Sequence, residues 1–276
     1  MRVAYFPNQC ALNSVPVMQA MLDSLRSAGH TPVKNGEDCD AAIIWSVLWH
    51  GRMAPNKRVY EQYRAQNRPV VIADVGALYR GKTWKIALNH INRLGYYGHT
   101  KNLDMDRPGK LGISLAINLS KNPTILIAAQ HRHSLQLADQ NHEAWITEQV
   151  RAIRQVSDRP IIIRPHPRSP LHMDSLTKDV IVEKPKKVTD TYDGFDMHFD
   201  YHAVVNYCSG IGIQAAISGT RTLVGINSLA APVSVTIADL DRPYDVDRDL
   251  WLVEICHTEY TINEIKEGLW IQRLKL

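Results

Sequence analysis

In the first 120 residues, short apolar runs alternate with segments whose apolar residues recur at helical spacing. Residues 2–6, 41–45 and 69–73 are predicted strands, and residues 15–28 and 56–66 are predicted helices. This alternation is typical of βαβ units with a parallel sheet. A further extended element is predicted near residues 109–117, and residues 118–123 have the Asn, Ser and Pro content of a linker.

The same alternation of strand and helix patterns begins again after residue 123. Strands are predicted at 124–129, 160–163, 180–182, 203–205 and 222–225. The spacing of Trp145, Ile146, Val150 and Ile153 predicts a long helix after the first of them. The tail from residue 249 is predicted to form two helices, the second opened by a capping box of Thr261 and Glu264. We therefore predict an α/β protein with Rossmann-like domains at 1–120 and 121–248, followed by C-terminal helices at 249–276.

Composition narrows the class of protein. The 276 residues are 45% hydrophobic and 22% charged, and no apolar run has the length of a membrane span. The chain enters a strand-like run at once, without the apolar core of a signal peptide, so a cytoplasmic protein without a membrane partner is expected. The four cysteines form no Cys-x-x-Cys pair, which argues against a zinc knuckle. The net charge of +4 permits a polyanionic partner without requiring one.

Polar groups follow two of the predicted strands in the second half. Arg164, His166 and Arg168 stand at the end of an apolar run, and Ser209 with Gly210, Gly212 and Gln214 opens the helix after another. The carboxyl ends of parallel strands are where open sheets bind ligands, and a helix N-terminus attracts anions. The two segments together predict a phosphate-binding site. The alternatives are that Arg164 merely forms a surface ion pair and that Gln214 is an ordinary polar residue at a helix start.

These motifs resemble a known family. Arg-x-His-Pro at a strand end, followed by Ser-x-x-Gly-x-Gln-Ala, is similar to the nucleotide-binding half of GT-B glycosyltransferases, especially the His-Pro-motif group with capsule-polysaccharide Kdo transferases. Residues 45–51, 70–74, 87–92 and 260–268 resemble bacteriophage proteins assigned as DNA glycosyltransferases that act on hydroxymethylated pyrimidines.

The resemblance implies a GT-B-like fold, with two Rossmann-like domains facing a central cleft and a C-terminal crossover helix. It implies a nucleotide-sugar donor in the second domain, with UDP as the expected nucleotide, and double-stranded DNA as the acceptor at the first. Gln214 stands where related enzymes often carry the ribose-binding Glu, and Gln130 occupies a position that is often Gln. The implied donor-binding residues are Gln130, His131, Arg164, His166, Arg168, Ser209, Gly210, Gly212 and Gln214.

Sugar transfer to a hydroxymethyl group needs a base that removes the hydroxyl proton. Asp74 directly follows the apolar run 70–73 at a strand's carboxyl end, and we predict that it is the general base. His50 is the second candidate, and His131 and His133 are further ones. The alternative for Asp74 is a cap or turn residue.

Basic residues outnumber acidic ones between positions 50 and 110, and aromatic residues are interspersed. Basic side chains could contact DNA phosphates, and aromatic side chains could stack beside an extruded base. The alternative is that the aromatic residues belong to the core and the charges to a solvated face. The residues predicted to contact DNA are Arg52, Arg80, Lys82, Lys85 and Arg93.

We expect no metal ligand and no required cofactor beyond the donor substrate. Asp104-Met-Asp106 superficially resembles a metal-binding Asp-x-Asp motif, but Arg107-Pro108 and the surrounding Gly and Asn indicate a loop. The sequence therefore predicts a glycosyltransferase that moves a sugar from a UDP-sugar to a hydroxymethylpyrimidine in DNA. The alternatives are a CMP- or UDP-sugar-dependent transferase for a surface polysaccharide, and a noncatalytic nucleotide- or DNA-binding protein.

Overall fold

A computed structural model describes residues 1–99, 101–171, 173, 180–183 and 199–276. Two compact units divide the chain, one of residues 1–107 with 253–276 and the other of residues 108–252. The divisions therefore fall after residues 107 and 252, whereas the sequence placed them after 120 and 248.

The first part of the chain forms five strands and two helices. They are β1 (Arg2–Tyr5), α1 (Val15–Ser27), β2 (Thr31–Lys34), β3 (Ala41–Trp45), α2 (Asn56–Ala65), β4 (Val70–Val75) and β5 (Thr83–Leu88). The remainder comprises α3 (Arg107–Leu111), β6 (Ile125–Ala128), α4 (His142–Arg154), β7 (Ile161–Arg164), β8 (Val180–Val182), β9 (Ala203–Asn206), α5 (Gly210–Ile217), β10 (Arg221–Val224), α6 (Asp249–Cys256), β11 (Glu259–Thr261), α7 (Ile262–Lys266) and α8 (Leu269–Leu274).

The first unit contains a sheet in the order β11-β5-β4-β3-β1-β2. Strands β1 to β4 run parallel, and β5 pairs antiparallel with both β4 and β11. One face packs on a core that includes Trp45, Trp84, Tyr260 and Trp270, all buried. Alternation along β5 places Trp84 and Ile86 in this core, so Thr83 and Lys85 lie on the other face.

The second unit contains a sheet in the order β10-β9-β6-β7-β8, in which every pairing is parallel. Apolar residues of β6, β7 and β9 pack against α4 on one face. On the other face, Leu126 and Val204 pack with Ala215 of α5. Because both faces are covered, these strands are apolar throughout, which is why the sequence revealed them.

Several sequence predictions needed correction. The extended element predicted at 109–117 is wrong: α3 occupies Arg107–Leu111, and residues 113–118 belong to no strand. Pro108 explains the helix start, since proline suits a first helical turn where no N–H bond is lost. Strands β2, β5 and β11 were not predicted. The tail contains three helices and a strand, although the predicted capping box of Thr261 and Glu264 is present.

Candidate functional site

The carboxyl edge of the second sheet gathers three loops at its topological switch point. The chain passes from β6 to β7 and β8 on one side, and then to β9 and β10 on the other. The loops after β6 and β9 therefore diverge next to each other, and open α/β sheets bind ligands at such a crevice. Residues 129–134, 165–169 and 207–210 form what we call the carboxyl-edge loops.

Gln130 joins two of the carboxyl-edge loops. Its Oε1 accepts a hydrogen bond of 3.0 Å from the Cys208 N–H, and its own N–H donates to Nε2 of His142 at 3.2 Å. Burial lowers the pKa of His142 to about 4, so this imidazole is neutral and can accept that bond. Gln130 is itself only 4% exposed. Gln130 thus links neighbouring segments beside the predicted donor site, and its contact with the donor stays a prediction.

Two imidazoles at this edge have a defined tautomer. The His133 N–H lies 3.2 Å from Nδ1 of His131, and the Arg168 N–H lies 3.1 Å from Nδ1 of His166. Because a backbone N–H can only donate, each Nδ1 must accept, and each ring carries its proton on Nε2. The ring centroids of His131 and His166 are 5.2 Å apart. The structure thus brings together two imidazole N–H donors that sequence reasoning placed in separate motifs.

The N-terminus of α5 lies after β9 at the same edge. Asn206 fixes it: its Nδ2 donates to the Ala128 carbonyl at 2.8 Å, and its Oδ1 accepts from the Ser209 N–H at 2.8 Å. Ser209 is the N-cap residue in an extended conformation, and its hydroxyl makes no capping bond. The first N–H groups of a helix have no intrahelical acceptor, so they and the helix dipole favour an anion at this position.

Gly212 and Gln214 are buried residues of α5. A Cβ on Gly212 would stand 2.9 Å from Cγ1 of Val224, so this glycine allows close packing of α5 on β10. Gln214 is 7% exposed in the second turn of the helix. Packing therefore explains why position 212 is a glycine, and the predicted ribose contact of Gln214 stays a prediction.

Arg164 has protein partners, and its predicted contact with the donor phosphates stays a prediction. Its Nε lies 2.8 Å from Oε2 of Glu183, and its Nη2 donates to the Tyr201 hydroxyl at 2.6 Å. Its side chain is 11% exposed. A guanidinium held in this way anchors β7 to neighbouring segments, so a phosphate contact by Arg164 would compete with an existing ion pair. Arg168 is exposed in the same loop.

In the first unit, Asp74 lies near the carboxyl end of β4 with both carboxylate oxygens engaged. Its Oδ2 accepts from the Ser46 hydroxyl at 3.0 Å, and its Oδ1 accepts from the Val75 N–H at 2.7 Å. Burial raises the pKa of Asp74, and the two hydrogen bonds, Lys85 and Arg80 oppose that rise. A carboxylate whose pKa is raised toward neutrality is a better proton acceptor, which suits the predicted role as a base.

The sequence did not reveal Ser46 as a partner of Asp74. Ser46 follows β3, which pairs parallel with β4, so the two strands end at the same edge. Its backbone φ is +64°, a left-handed conformation that is uncommon for a residue other than glycine. The rule that selected Asp74, a polar residue where a buried strand ends, could also have selected Ser46.

The remaining candidates of the first unit differ in exposure. His50 is exposed and precedes a short 3-10 helix at Gly51–Met53. Arg52, Lys82 and Arg93 are exposed, and Arg80 is half-buried. Lys85 is 6% exposed, because the unpredicted strand β5 places it opposite Asp74, and its predicted contact with DNA stays a prediction.

Comparison with known proteins rests on structure alone. No protein-family model and no curated protein matches the sequence. The beta Kdo 2,4 transferase of Thermosulfurimonas dismutans KpsC shares 11% identity at a TM-score of 0.52, over 98% of both chains. The KpsC beta Kdo 2,7 transferase of the same organism shares 11% identity at a TM-score of 0.55, over 99% of this chain and 100% of the other. The likeness confirms the predicted GT-B-like α/β fold.

The described ranges of the chain also bear on a metal site and on a membrane span. Within those ranges, no three His, Cys, Asp or Glu side chains are grouped so that they could hold a metal ion. The helices in the same ranges include none that is long and apolar enough to cross a membrane.

Proposed function

We propose that the protein is a glycosyltransferase that takes its sugar from a nucleoside diphosphate sugar, with UDP as the nucleotide. The observation that carries the proposal is the carboxyl-edge arrangement of His131, His166 and the α5 N-terminus. Two Nε2–H donors and the positive end of a helix dipole can stabilise negative charge on a departing diphosphate. The GT-B-like fold supports this assignment as an analogy.

We propose that Asp74 is the general base of the reaction. The acceptor hydroxyl loses its proton to the Asp74 carboxylate as its oxygen attacks the anomeric carbon, and the bond from that carbon to the diphosphate oxygen breaks. The hydrogen bond from Ser46 holds the carboxylate in one orientation, and burial raises its pKa. His50 is the second candidate base, and its exposed position offers no comparable support.

We propose the hydroxymethyl group of a modified pyrimidine in DNA as the acceptor. Three observations support a polyanionic partner: Arg52, Lys82 and Arg93 are exposed, Tyr79 is 44% exposed, and Lys82 lies 4.1 Å from the Tyr79 ring centroid. Cationic side chains would make binding sensitive to salt, and an exposed aromatic ring could stack on an extruded base.

A second candidate is transfer to a bacterial surface glycan. The likeness to two Kdo transferases favours it. This enzyme would share the donor site but would show no preference for hydroxymethylated DNA, so a gel shift with modified and unmodified duplexes separates the two candidates.

The test is incubation with DNA that contains hydroxymethylcytosine or hydroxymethyluracil, a panel of UDP- and CMP-sugars, and nucleoside mass spectrometry. We expect the mass of a nucleoside to increase by one sugar with one UDP-sugar, and much less of that product from the Asp74→Asn variant in the same time. The same donors are incubated with a Kdo-containing glycan acceptor. Sugar transfer to the glycan alone would establish the second candidate. If sugar is transferred to neither acceptor, the protein only binds its ligands.

A further inference from the structure

Three charged side chains lie in one row across the first sheet. The antiparallel registers place Lys85 of β5 directly opposite Asp74 of β4 and directly opposite Glu259 of β11. Residues that face each other across antiparallel strands lie on the same side of the sheet. Lys85 is 6% exposed and Glu259 is 0% exposed. One basic and two acidic residues therefore face the same side of the sheet on three neighbouring strands, and Lys85 and Glu259 are buried there.

The Glu259 carboxylate accepts hydrogen bonds from the turn after β4 and from the start of β5. Its Oε1 accepts from the Ala77 N–H at 2.6 Å, and its Oε2 accepts from the Leu78 N–H at 3.1 Å and the Thr83 hydroxyl at 2.7 Å. A Cβ at Gly76 would overlap this carboxylate, so the turn after β4 closes directly on it.

The charged groups around Asp74 come from β5 and from the turn that precedes it. With Glu259 on one side and Asp74 on the other, Lys85 has a carboxylate on each adjacent strand. Around Asp74 the charged groups are Lys85 on β5 and Arg80 in the turn, with the neutral Ser46 hydroxyl from the end of β3. Of these groups, Lys85 lies on a strand directly opposite Asp74.

We propose that Lys85, directly opposite Asp74 in the register of β4 and β5, is a positioning residue that keeps Asp74 in its basic, ionised form. The inference rests on the proposed role of Asp74 as the base. Glu259 fixes the turn at residues 76–78, and Asp74 remains near its strand end, where the transfer reaction needs a proton acceptor.

The test measures the ionisation of Asp74 directly. Proteins labelled with ¹³C at the aspartate carboxyl carbon are titrated by NMR, with the Asp74 signal assigned by Asp74→Asn. The variants are Lys85→Met, Lys85→Arg and Glu259→Gln, and Lys34→Met at the far edge of the same sheet is the control. Lys85→Gln replaces Lys85→Met if the latter does not fold. The pH profile of kcat/KM is measured with the donor and acceptor that the mass-spectrometric panel identifies.

We expect the Asp74 midpoint to move upward in Lys85→Met, to stay in place in Lys85→Arg and Lys34→Met, and to move downward in Glu259→Gln. The acid limb of kcat/KM should move with the midpoint. Opposite shifts distinguish an electrostatic role from a loss of structure, which would move both midpoints in the same direction.

An unchanged midpoint in Lys85→Met, or shifts of one sign in Lys85→Met and Glu259→Gln, would overturn the inference. A moved midpoint with an unmoved pH profile would also overturn it. If the midpoints move as expected and no protein transfers sugar, the proposed function fails while the charge relationship stands.

Discussion

The hydroxyl oxygen of Ser46 lies 3.0 Å from Oδ2 of Asp74, and it also accepts a hydrogen bond of 3.3 Å from the Leu48 N–H. Ser46 therefore acts as donor to the carboxylate and acceptor from the backbone at once. Its backbone has a left-handed conformation, at φ +64°. Strain of this kind is often found at functional sites, and here it accompanies the proposed base.

Substitution of Ser46 separates strain from hydrogen bonding. Ser46→Gly and Ser46→Ala both remove the bond to Asp74, so both should lower kcat. Glycine adopts a positive φ without penalty, and other residues lose about 1–2 kcal/mol there. Ser46→Gly should therefore exceed Ser46→Ala in free energy of unfolding by about 1 kcal/mol, measured in urea. Equal stabilities would show that the conformation is not strained.

Asp74→Asn removes the proposed base and leaves the side chain nearly the same size. We expect kcat to fall about 10²- to 10⁴-fold, which is typical for loss of a general base. The affinity for UDP should be unchanged, because the proposed donor site belongs to the other unit. The exposed Asp106→Asn is the matched control. Full activity in Asp74→Asn would transfer the role of base to another residue, with His50 the next to test.

His131→Ala and His166→Ala each remove one proposed phosphate donor. A hydrogen bond to a charged group contributes about 1.5–3 kcal/mol, so each variant should weaken UDP binding roughly tenfold or more. Calorimetric titration of the full-length protein gives the measurement, with His30→Ala in the first unit as control. If the control weakens binding as much as either variant, the effect does not come from the carboxyl-edge loops.

Arg107 and Glu264 form a buried ion pair of 2.6 Å whose side chains are 6% and 21% exposed. Nη2 of Arg107 also donates to the Glu259 carbonyl at 2.6 Å, which ties β11 to the pair. Removal of one partner leaves an unpaired buried charge, so Arg107→Met should lower the free energy of unfolding by about 3–5 kcal/mol. A loss below about 1 kcal/mol in urea unfolding would contradict the account.

The same ion pair should make stability depend on pH. Burial raises the pKa of Glu264, whereas hydrogen bonds from Arg107 and Thr261 lower it. The lowering is the larger effect, so the pKa lies below its usual 4.5. A lowered folded-state pKa contributes stability that is complete above the ordinary value and is lost as pH falls through the lowered one. The stability difference between the natural protein and Glu264→Gln should therefore shrink with acidification below pH 4.5. A constant difference would contradict this linkage.

The sequence located the strand ends because periodicity reports which segments are buried. Asp74 and Ser209 both follow apolar runs, and the structure places each near the carboxyl end of a parallel strand. Periodicity does not report which segments pair. Strand β5 meets β11 across more than 170 residues of chain, so Lys85 was read as an exposed cation and Glu259 was missed. For the same reason, the sequence did not predict that Arg164 contacts Glu183 and Tyr201.

The most direct measurement for the central claim is an NMR titration of histidine ring nitrogens with UDP. The account predicts that Nε2 of His131 and His166, each protonated in the unliganded protein, shifts as UDP binds, and that the His30 ring does not. Saturating UDP that leaves both Nε2 signals unmoved would contradict the claim that the carboxyl-edge loops hold the diphosphate.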